Sequence, residues 1–100
     1  MKIQYEAQTL TLSEIPELNA VNSPAFRDQA RAALKDGVTD LHINLSQTRM
    51  VDSSGLGTLI ALHKTMATRG GVVRILQPTA MVLQILELTR LHRVFEIVKS

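Results

Sequence analysis

The chain has 100 residues, of which 45% are hydrophobic and 20% are charged, and its formal net charge is +2. This size and balance are typical of one globular domain and exclude a disordered tail, a collagen-like fibre and a coiled-coil rod. The basic residues are scattered and only 3% of the chain is aromatic, so neither a basic patch nor a stacking platform for direct nucleic-acid binding is expected.

The first half of the chain predicts two strands, a helix and a third strand. Residues 3–7 and 9–15 have strand patterns, but no turn signal marks a hairpin between them, so their pairing stays open. Residues 22–24, Asn-Ser-Pro, predict a helix start with a capping side chain and proline in the first turn. Gly37 is expected to end this helix in a left-handed conformation. Apolar alternation over residues 41–45 predicts the next strand.

The second half alternates helices and strands. A helix is predicted over residues 55–69, ended by residues 70–71, and a short buried strand over residues 72–76. Pro78-Thr79 opens a third helix, and residues 94–98 are apolar enough for a final strand. This order implies parallel β-α-β crossovers, whose functional loops follow the carboxyl ends of strands. The predicted buried face of the 55–69 helix consists of Leu56, Leu59, Ile60, His63 and Met66.

The motifs of common catalytic and nucleotide-binding sites are missing. A Gly-x-Ser-x-Gly nucleophile elbow fails because Val51 and Asp52 stand where glycine would precede Ser53 and Ser54. The dinucleotide fingerprint fails at Ile60, and no glycine precedes a lysine as a phosphate-binding loop requires. The histidines lack the spacing of a helical metal pair. We therefore expect no catalytic residue, metal or cofactor.

Targeting signals are also missing from the sequence. Residues 1–6 contain no apolar run of the kind that a signal peptide needs. The longest uncharged apolar stretch, residues 56–62, is far shorter than the roughly 20 residues that span a bilayer. We therefore expect a cytoplasmic protein without a membrane segment.

Residues 52–57, Asp-Ser-Ser-Gly-Leu-Gly, form the motif with chemical content. One interpretation is helix capping alone, because aspartate and serine side chains accept hydrogen bonds from the first turn of a helix. The other is a phosphorylation switch, since a helix N-terminus tolerates a phosphate whose charge of about −1.5 to −2 would meet any docked partner. Gly55 and Gly57 are expected to let the backbone of that partner come close.

Residues 50–57, Met-Val-Asp-Ser-Ser-Gly-Leu-Gly, resemble the signature of the anti-sigma factor antagonists, which are bacterial single-domain STAS proteins. The resemblance runs from about residue 10 to residue 98 and includes the strand before the motif and the glycine pair after the helix. It implies an α/β fold with a single STAS domain over residues 1–100. A mixed sheet of four to five strands, with parallel crossovers and helices packed against it, is then expected.

The same resemblance implies a function by partner switching. In the family, the unphosphorylated protein binds an anti-sigma factor that is also an ATP-dependent serine kinase, and this frees the sigma factor. The kinase then phosphorylates a serine at the helix start, the complex separates, and a PP2C-type phosphatase resets the system. Ser54 matches the phosphorylated serine, with Ser53 as the fallback, and a monomer is the expected form. The implied partner-binding residues are Asn19, Met50, Asp52, Ser53, Gly55, Leu56, Gly57 and Thr58.

Some residues depart from the family pattern. Residues 16–19, Pro-Glu-Leu-Asn, stand where Gly-Glu-Leu/Ile-Asp is common, so Asn19 keeps an acceptor without the charge and Pro16 fixes the backbone. Residues 89–91, Thr-Arg-Leu, stand where Ser-Gly-Leu is common. These changes bear on the partner more than on the fold. The alternative function is a constitutive STAS subunit of a transporter ATPase complex, and a small-ligand binder is a third.

Overall fold

Strands and helices alternate along the chain in the computed structural model, which describes residues 1–99. Most predicted elements are present, with boundaries shifted by one or two residues. In chain order the elements are β1 Lys2–Glu6, β2 Thr9–Ser13, β3 Glu17–Leu18, α1 Ser23–Ala33, β4 Asp40–Asn44, β5 Met50–Val51, α2 Ser53–Thr68, β6 Val72–Leu76, α3 Ala80–Leu88, a 3-10 turn at Leu91–Arg93, and β7 Glu96–Val98.

The main sheet has five strands in the order β1-β2-β4-β6-β7. β1 and β2 are antiparallel and turn at Ala7, which has a φ of 53°, so the pairing that the sequence left open is a hairpin. From β2 to β7 the neighbouring strands are parallel. The expected mixed sheet with parallel crossovers is confirmed.

A second sheet, of two strands, was not predicted from the sequence. It pairs β3 with β5 in parallel, and it joins the segment before α1 to the segment before α2. Two further backbone hydrogen bonds extend this pairing, from Arg49 N to Pro16 O at 2.9 Å and from Asp52 N to Leu18 O at 3.0 Å. Residues 16–19 therefore lie directly beside the serine motif.

The helices pack against one face of the main sheet because alternate strand residues are apolar. In β4, Leu41 and Ile43 are fully buried, whereas His42 between them is only half-buried on the opposite face. Arg74 of β6 also lies on that opposite face, where it pairs with Asp40 at 3.4 Å and with Glu96 at 3.0 Å. Within residues 1–99, no helix combines the length and the apolar character that crossing a membrane requires.

The predicted end of α1 and the predicted start of the final strand are wrong. Helix α1 ends at Ala33 with Leu34 as its C-cap, so Gly37 does not cap it, although its φ of 91° is left-handed as expected. The final strand contains only Glu96–Val98, because Val94 N and Phe95 N bond back to Leu91 O, at 2.9 and 3.1 Å, and so extend the turn. Helix α3 does begin after Thr79, whose hydroxyl accepts a hydrogen bond from Val82 N at 3.4 Å.

Helix α2 begins at Ser53, two residues before the predicted start, which places both serines inside its first turn. Its predicted apolar face is also only partly buried, because Leu56, Ile60 and His63 are half-buried at the edge of the core. The ring of His63 contacts that of Phe95 edge-on, with centroids 5.6 Å apart. The buried residues of α2 are Gly55, Thr58, Leu59, Leu62 and Met66.

Candidate functional site

Asp52 fixes the turn that carries the two serines. It is the N-cap of α2, and its Oδ1 atom accepts a hydrogen bond from Gly55 N at 3.0 Å. Its Oδ2 atom accepts a second hydrogen bond, from Ala20 N at 3.1 Å, in the loop between β3 and α1. A single carboxylate therefore joins the start of α2 to the loop that precedes α1, and the capping interpretation of Asp52 is confirmed.

The loop of residues 19–22 is closed by its own asparagines. Asn19 Oδ1 accepts hydrogen bonds from Val21 N at 3.0 Å and from Asn22 N at 3.1 Å. Asn22 Oδ1 in turn accepts from Asn19 N at 2.7 Å, and Asn22 Nδ2 donates to the carbonyl of Glu17. The Asn22 side chain thus closes this loop and does not cap α1, contrary to the sequence prediction. Position 19 shapes the loop that Asp52 contacts.

Ser53 and Ser54 are exposed and occupy the first two positions of α2. The first helical hydrogen bond runs from Leu56 N to Asp52 O at 2.9 Å, and Gly55 N is taken by the Asp52 side chain. The N–H groups of the two serines precede these bonds, so they have no partner within the helix. This end of α2 therefore presents hydroxyls, free donors and a partial positive charge.

The two glycines of the motif have different surroundings. Gly55 is buried, and a Cβ atom there would collide with the backbone of Leu18. Gly57 is exposed, and a Cβ atom there would meet nothing within 4 Å. The expectation that both glycines admit a partner's backbone is therefore wrong for Gly55, which instead allows β3 and α2 to come together. It stays a prediction for Gly57.

The remaining predicted interface residues differ in exposure. Met50 is 53% exposed, Leu56 is half-buried, and Thr58 is only 6% exposed, which leaves Thr58 little surface for a partner. Val21, which the sequence analysis missed, is 90% exposed and adjoins the residue that binds Asp52. A β-branched residue inside a polar loop was the signal that could have identified it. Whether these residues bind a partner stays a prediction.

An open cleft of about 410 Å³ lies between the starts of α1 and α2, next to Ser54. Sequence reasoning missed two of its residues, Ser23 and Arg27, whose spacing of four on α1 could have indicated a shared face. Ser23 is 2% exposed, and among residues 1–99 its Oγ atom has no hydrogen-bond partner; the same is true of the buried Nε atom of Arg27. The cleft is lined by Ala20, Ser23, Arg27, Ser54, Gly57 and Thr58, together with Pro24.

The side chains of residues 1–99 do not form a metal-binding site. Within residues 1–99, histidine, aspartate and glutamate side chains do not gather in any group of three that could hold a metal ion. The histidines instead have separate surroundings: His42 is on the open face of the sheet, His63 packs against Phe95, and His92 Nδ1 lies 3.5 Å from Leu86 O.

Comparison with known proteins identifies one family. The family model of the STAS domain matches residues 2–100. A candidate anti-sigma factor antagonist from Thermotoga maritima is 29% identical over 82 residues, which cover 81% of this chain and 73% of that protein.

Solved structures have the same fold. The crystal structure of a candidate anti-sigma factor antagonist from Thermotoga maritima superposes with a TM-score of 0.92 at 25% identity, covering 99% of this chain and 86% of that one. The unphosphorylated form of the anti-sigma factor antagonist SpoIIAA gives 0.82 at 18% identity, covering 97% and 86%. The phosphorylated form of the Bacillus cell fate determinant SpoIIAA gives 0.75 at 17% identity, covering 97% and 89%. At these lower identities the likeness to SpoIIAA establishes the fold alone.

Proposed function

We propose that this chain, which belongs to the STAS domain family, is an anti-sigma factor antagonist that works by partner switching. The Thermotoga maritima relative and the motif of residues 50–57 support this function. The whole of residues 1–100 then acts as a single STAS domain. It is a cytoplasmic regulator, acts as a monomer and performs no chemistry of its own.

The observation that carries the proposal is the geometry around Ser54. Its side chain is exposed, while the turn beneath it is held by both oxygens of Asp52. A kinase can therefore reach the hydroxyl without unfolding the start of α2. The γ-phosphoryl group of ATP passes to Ser54 Oγ, ADP leaves, and the hydroxyl proton is released.

The phosphate changes the docking surface and leaves the fold in place. At a helix N-terminus its negative charge is favourable, since the free N–H groups and the helix dipole face it. A partner docked on the same turn instead meets about −1.5 to −2 new charges. SpoIIAA, which shares this fold, has been solved in a phosphorylated form, so the fold is compatible with a phosphate.

The partner that this surface fits is an anti-sigma factor with serine kinase activity, and a PP2C-type phosphatase restores the free hydroxyl. Val21, next to the residue that donates to Asp52, and Met50, two residues before Asp52, supply exposed apolar side chains, and a Cβ atom at Gly57 would meet open space. Single exposed apolar residues are common on protein surfaces, so Val21 and Met50 are proposed as contacts because of their place beside the turn that carries Ser54. Asp52 acts by positioning the turn.

The first experiment is intact-mass spectrometry of the protein from its native cells, with and without PP2C-type phosphatase treatment. A phosphatase-sensitive phosphate that fragment spectra place on Ser54 supports the proposal. A phosphate on Ser53 moves the switch to the neighbouring hydroxyl and contradicts the Ser54 assignment. If the protein carries no phosphate and co-purifies with a transporter ATPase, the switch is wrong and the chain is a constitutive subunit.

A further inference from the structure

One cation and the serine of the proposed switch line the same cleft between α1 and α2. Arg27 and Ser54 line the same cleft from different helices. We propose that this cleft binds the phosphate of phosphorylated Ser54 and that the Arg27 guanidinium is its principal ligand. This inference rests on the proposed function and adds an internal phosphate site to it.

Two unpartnered polar groups support a ligand in the cleft. Only 2% of the Ser23 surface is exposed, yet its Oγ atom has no hydrogen-bond partner among the described residues. The buried Nε atom of Arg27 also lacks one within residues 1–99. Buried polar atoms are nearly always hydrogen-bonded, so an unsatisfied pair on one cleft wall indicates a missing acceptor. A phosphate supplies three strong acceptor oxygens.

The charges around the cleft suit an anion tethered to Ser54. Arg27 is the only charged residue that lines the cleft within residues 1–99. The carboxylate nearest to Ser54 along the chain is that of Asp52, which already accepts from Ala20 N and Gly55 N, and Asp28, which follows Arg27, is exposed and does not line the cleft. Guanidinium groups bind phosphate oxygens in pairs, with stronger hydrogen bonds than neutral donors make.

Backbone donors and space complete the site. Helix α2 begins at the cleft with Ser53 and supplies free backbone donors, whereas the start of α1 supplies few, because Ser23 N already donates to Asn19 O at 2.8 Å and Pro24 has no N–H. Helix starts favour anions, because their first N–H groups have no helical partner. Gly57 leaves its side of the cleft open, which gives the phosphate room to turn from Ser54 toward Arg27. A docked phosphate would fill the cleft and add its bulk to the charge that a partner meets.

The test uses the full chain with phosphoserine installed at position 54 during synthesis, so that it needs no kinase. Phosphorus NMR follows the second pKa of the phosphate, which is about 6 for a free phosphoserine. Binding to Arg27 favours the dianion, so we expect this pKa about one unit below the free value. In Arg27→Gln most of this shift should disappear, and the part that remains is the effect of the free N–H groups at the start of α2. Arg27→Lys, which keeps the charge and loses the paired donors, should give an intermediate pKa.

Arg31→Gln is the matched control, because Arg31 is exposed one turn further along α1 and its loss changes the net charge equally. Equal pKa values in the unmutated chain and Arg27→Gln, or equal shifts in Arg27→Gln and Arg31→Gln, would overturn the proposal. If Arg27→Gln does not fold, the test uses the chemical shift of Arg27 Nε–H in the phosphorylated, unmutated chain. If Arg27 binds the phosphate, this shift must change with pH in step with the phosphorus signal, and a shift that stays constant would overturn the proposal. If the phosphate does not bind in the cleft, the phosphate site is wrong but phosphorylation of Ser54 can still act as the switch. If the phosphate binds but cells never phosphorylate the chain, the proposed switch is wrong and the phosphate site stands.

Discussion

The backbone carbonyl of Leu18 lies where a side chain at Gly55 would begin. The same carbonyl oxygen accepts a hydrogen bond from Asp52 N at 3.0 Å. One atom of β3 therefore aligns the turn and also excludes any side chain at position 55. Gly55 thus sets how closely α2 approaches β3. The position of Ser54, one residue earlier, depends on that approach.

Gly55→Ala should destabilise the protein, whereas Gly57→Ala should stabilise it. The new Cβ at position 55 collides with backbone that cannot move easily, and such overpacking costs about 1–3 kcal/mol. The new Cβ at position 57 meets open space, and alanine is favoured over glycine in a helix by about 0.8–1.0 kcal/mol. Urea unfolding of both variants measures these changes in the free energy of unfolding. Equal changes in the two variants would show that the contact with Leu18 has no energetic role.

Asp52→Ala should destabilise the protein by about 1–2 kcal/mol, because it removes the cap of α2 and the acceptor for Ala20 N together. Asp52→Asn should lower the stability less than Asp52→Ala, because its one amide oxygen can still accept the hydrogen bond from Gly55 N and only the acceptor for Ala20 N is lost. Thermal and urea unfolding test the order of the variants. Asp28→Asn, an exposed site on α1, is the control for lost charge and should change stability by less than about 0.5 kcal/mol. A loss in Asp28→Asn as large as that in Asp52→Ala would contradict the capping role.

The fold was largely predictable because its strands and helices have regular apolar spacing. Residues 41–45 and 72–76 alternate as buried strands do, and both appear within one residue of the expected bounds. The two-residue strands β3 and β5 were not predictable, because no periodicity can be read from two residues. Their pairing depends on contacts between segments about 30 residues apart in sequence.

The part of the candidate site that lies within one continuous segment was predictable from the sequence. The parts that depend on contacts between two segments were not. The Asp-Ser-Ser-Gly motif indicated the start of α2 directly. Asn22 looked like a helix cap, but its side chain bonds across the loop to Asn19 and Glu17. Arg27 looked like an ordinary surface cation of α1, because the cleft that it shares with Ser54 exists only once α1 and α2 are packed together.

Val21→Ala and Met50→Ala should weaken binding of the anti-sigma factor kinase without affecting the fold. Both side chains are exposed next to the Asp52 turn, so their removal should change the free energy of unfolding by less than about 0.5 kcal/mol. If they anchor the interface, each variant should raise the Kd about tenfold, which corresponds to about 1.4 kcal/mol. Calorimetry with the purified kinase domain gives the Kd. Leu88→Ala, at a 76% exposed apolar site at the end of α3, is the control, and an equal loss there would contradict the assigned surface.

Ser54→Ala should bind the kinase like the unmutated chain and should not be phosphorylated, because it removes only the acceptor hydroxyl from an exposed position. Ser54→Asp should bind roughly 100-fold more weakly, a loss of about 3 kcal/mol, because its carboxylate brings a fixed charge to the docked turn. Ser53→Ala is the matched control, because Ser53 is also exposed and also precedes the first helical hydrogen bonds, and this variant should still be phosphorylated and released. Phosphate transfer from ATP and the Kd before and after it are the two measurements. Tight binding of Ser54→Asp, or loss of phosphorylation in Ser53→Ala with retention in Ser54→Ala, would place the switch elsewhere than on Ser54.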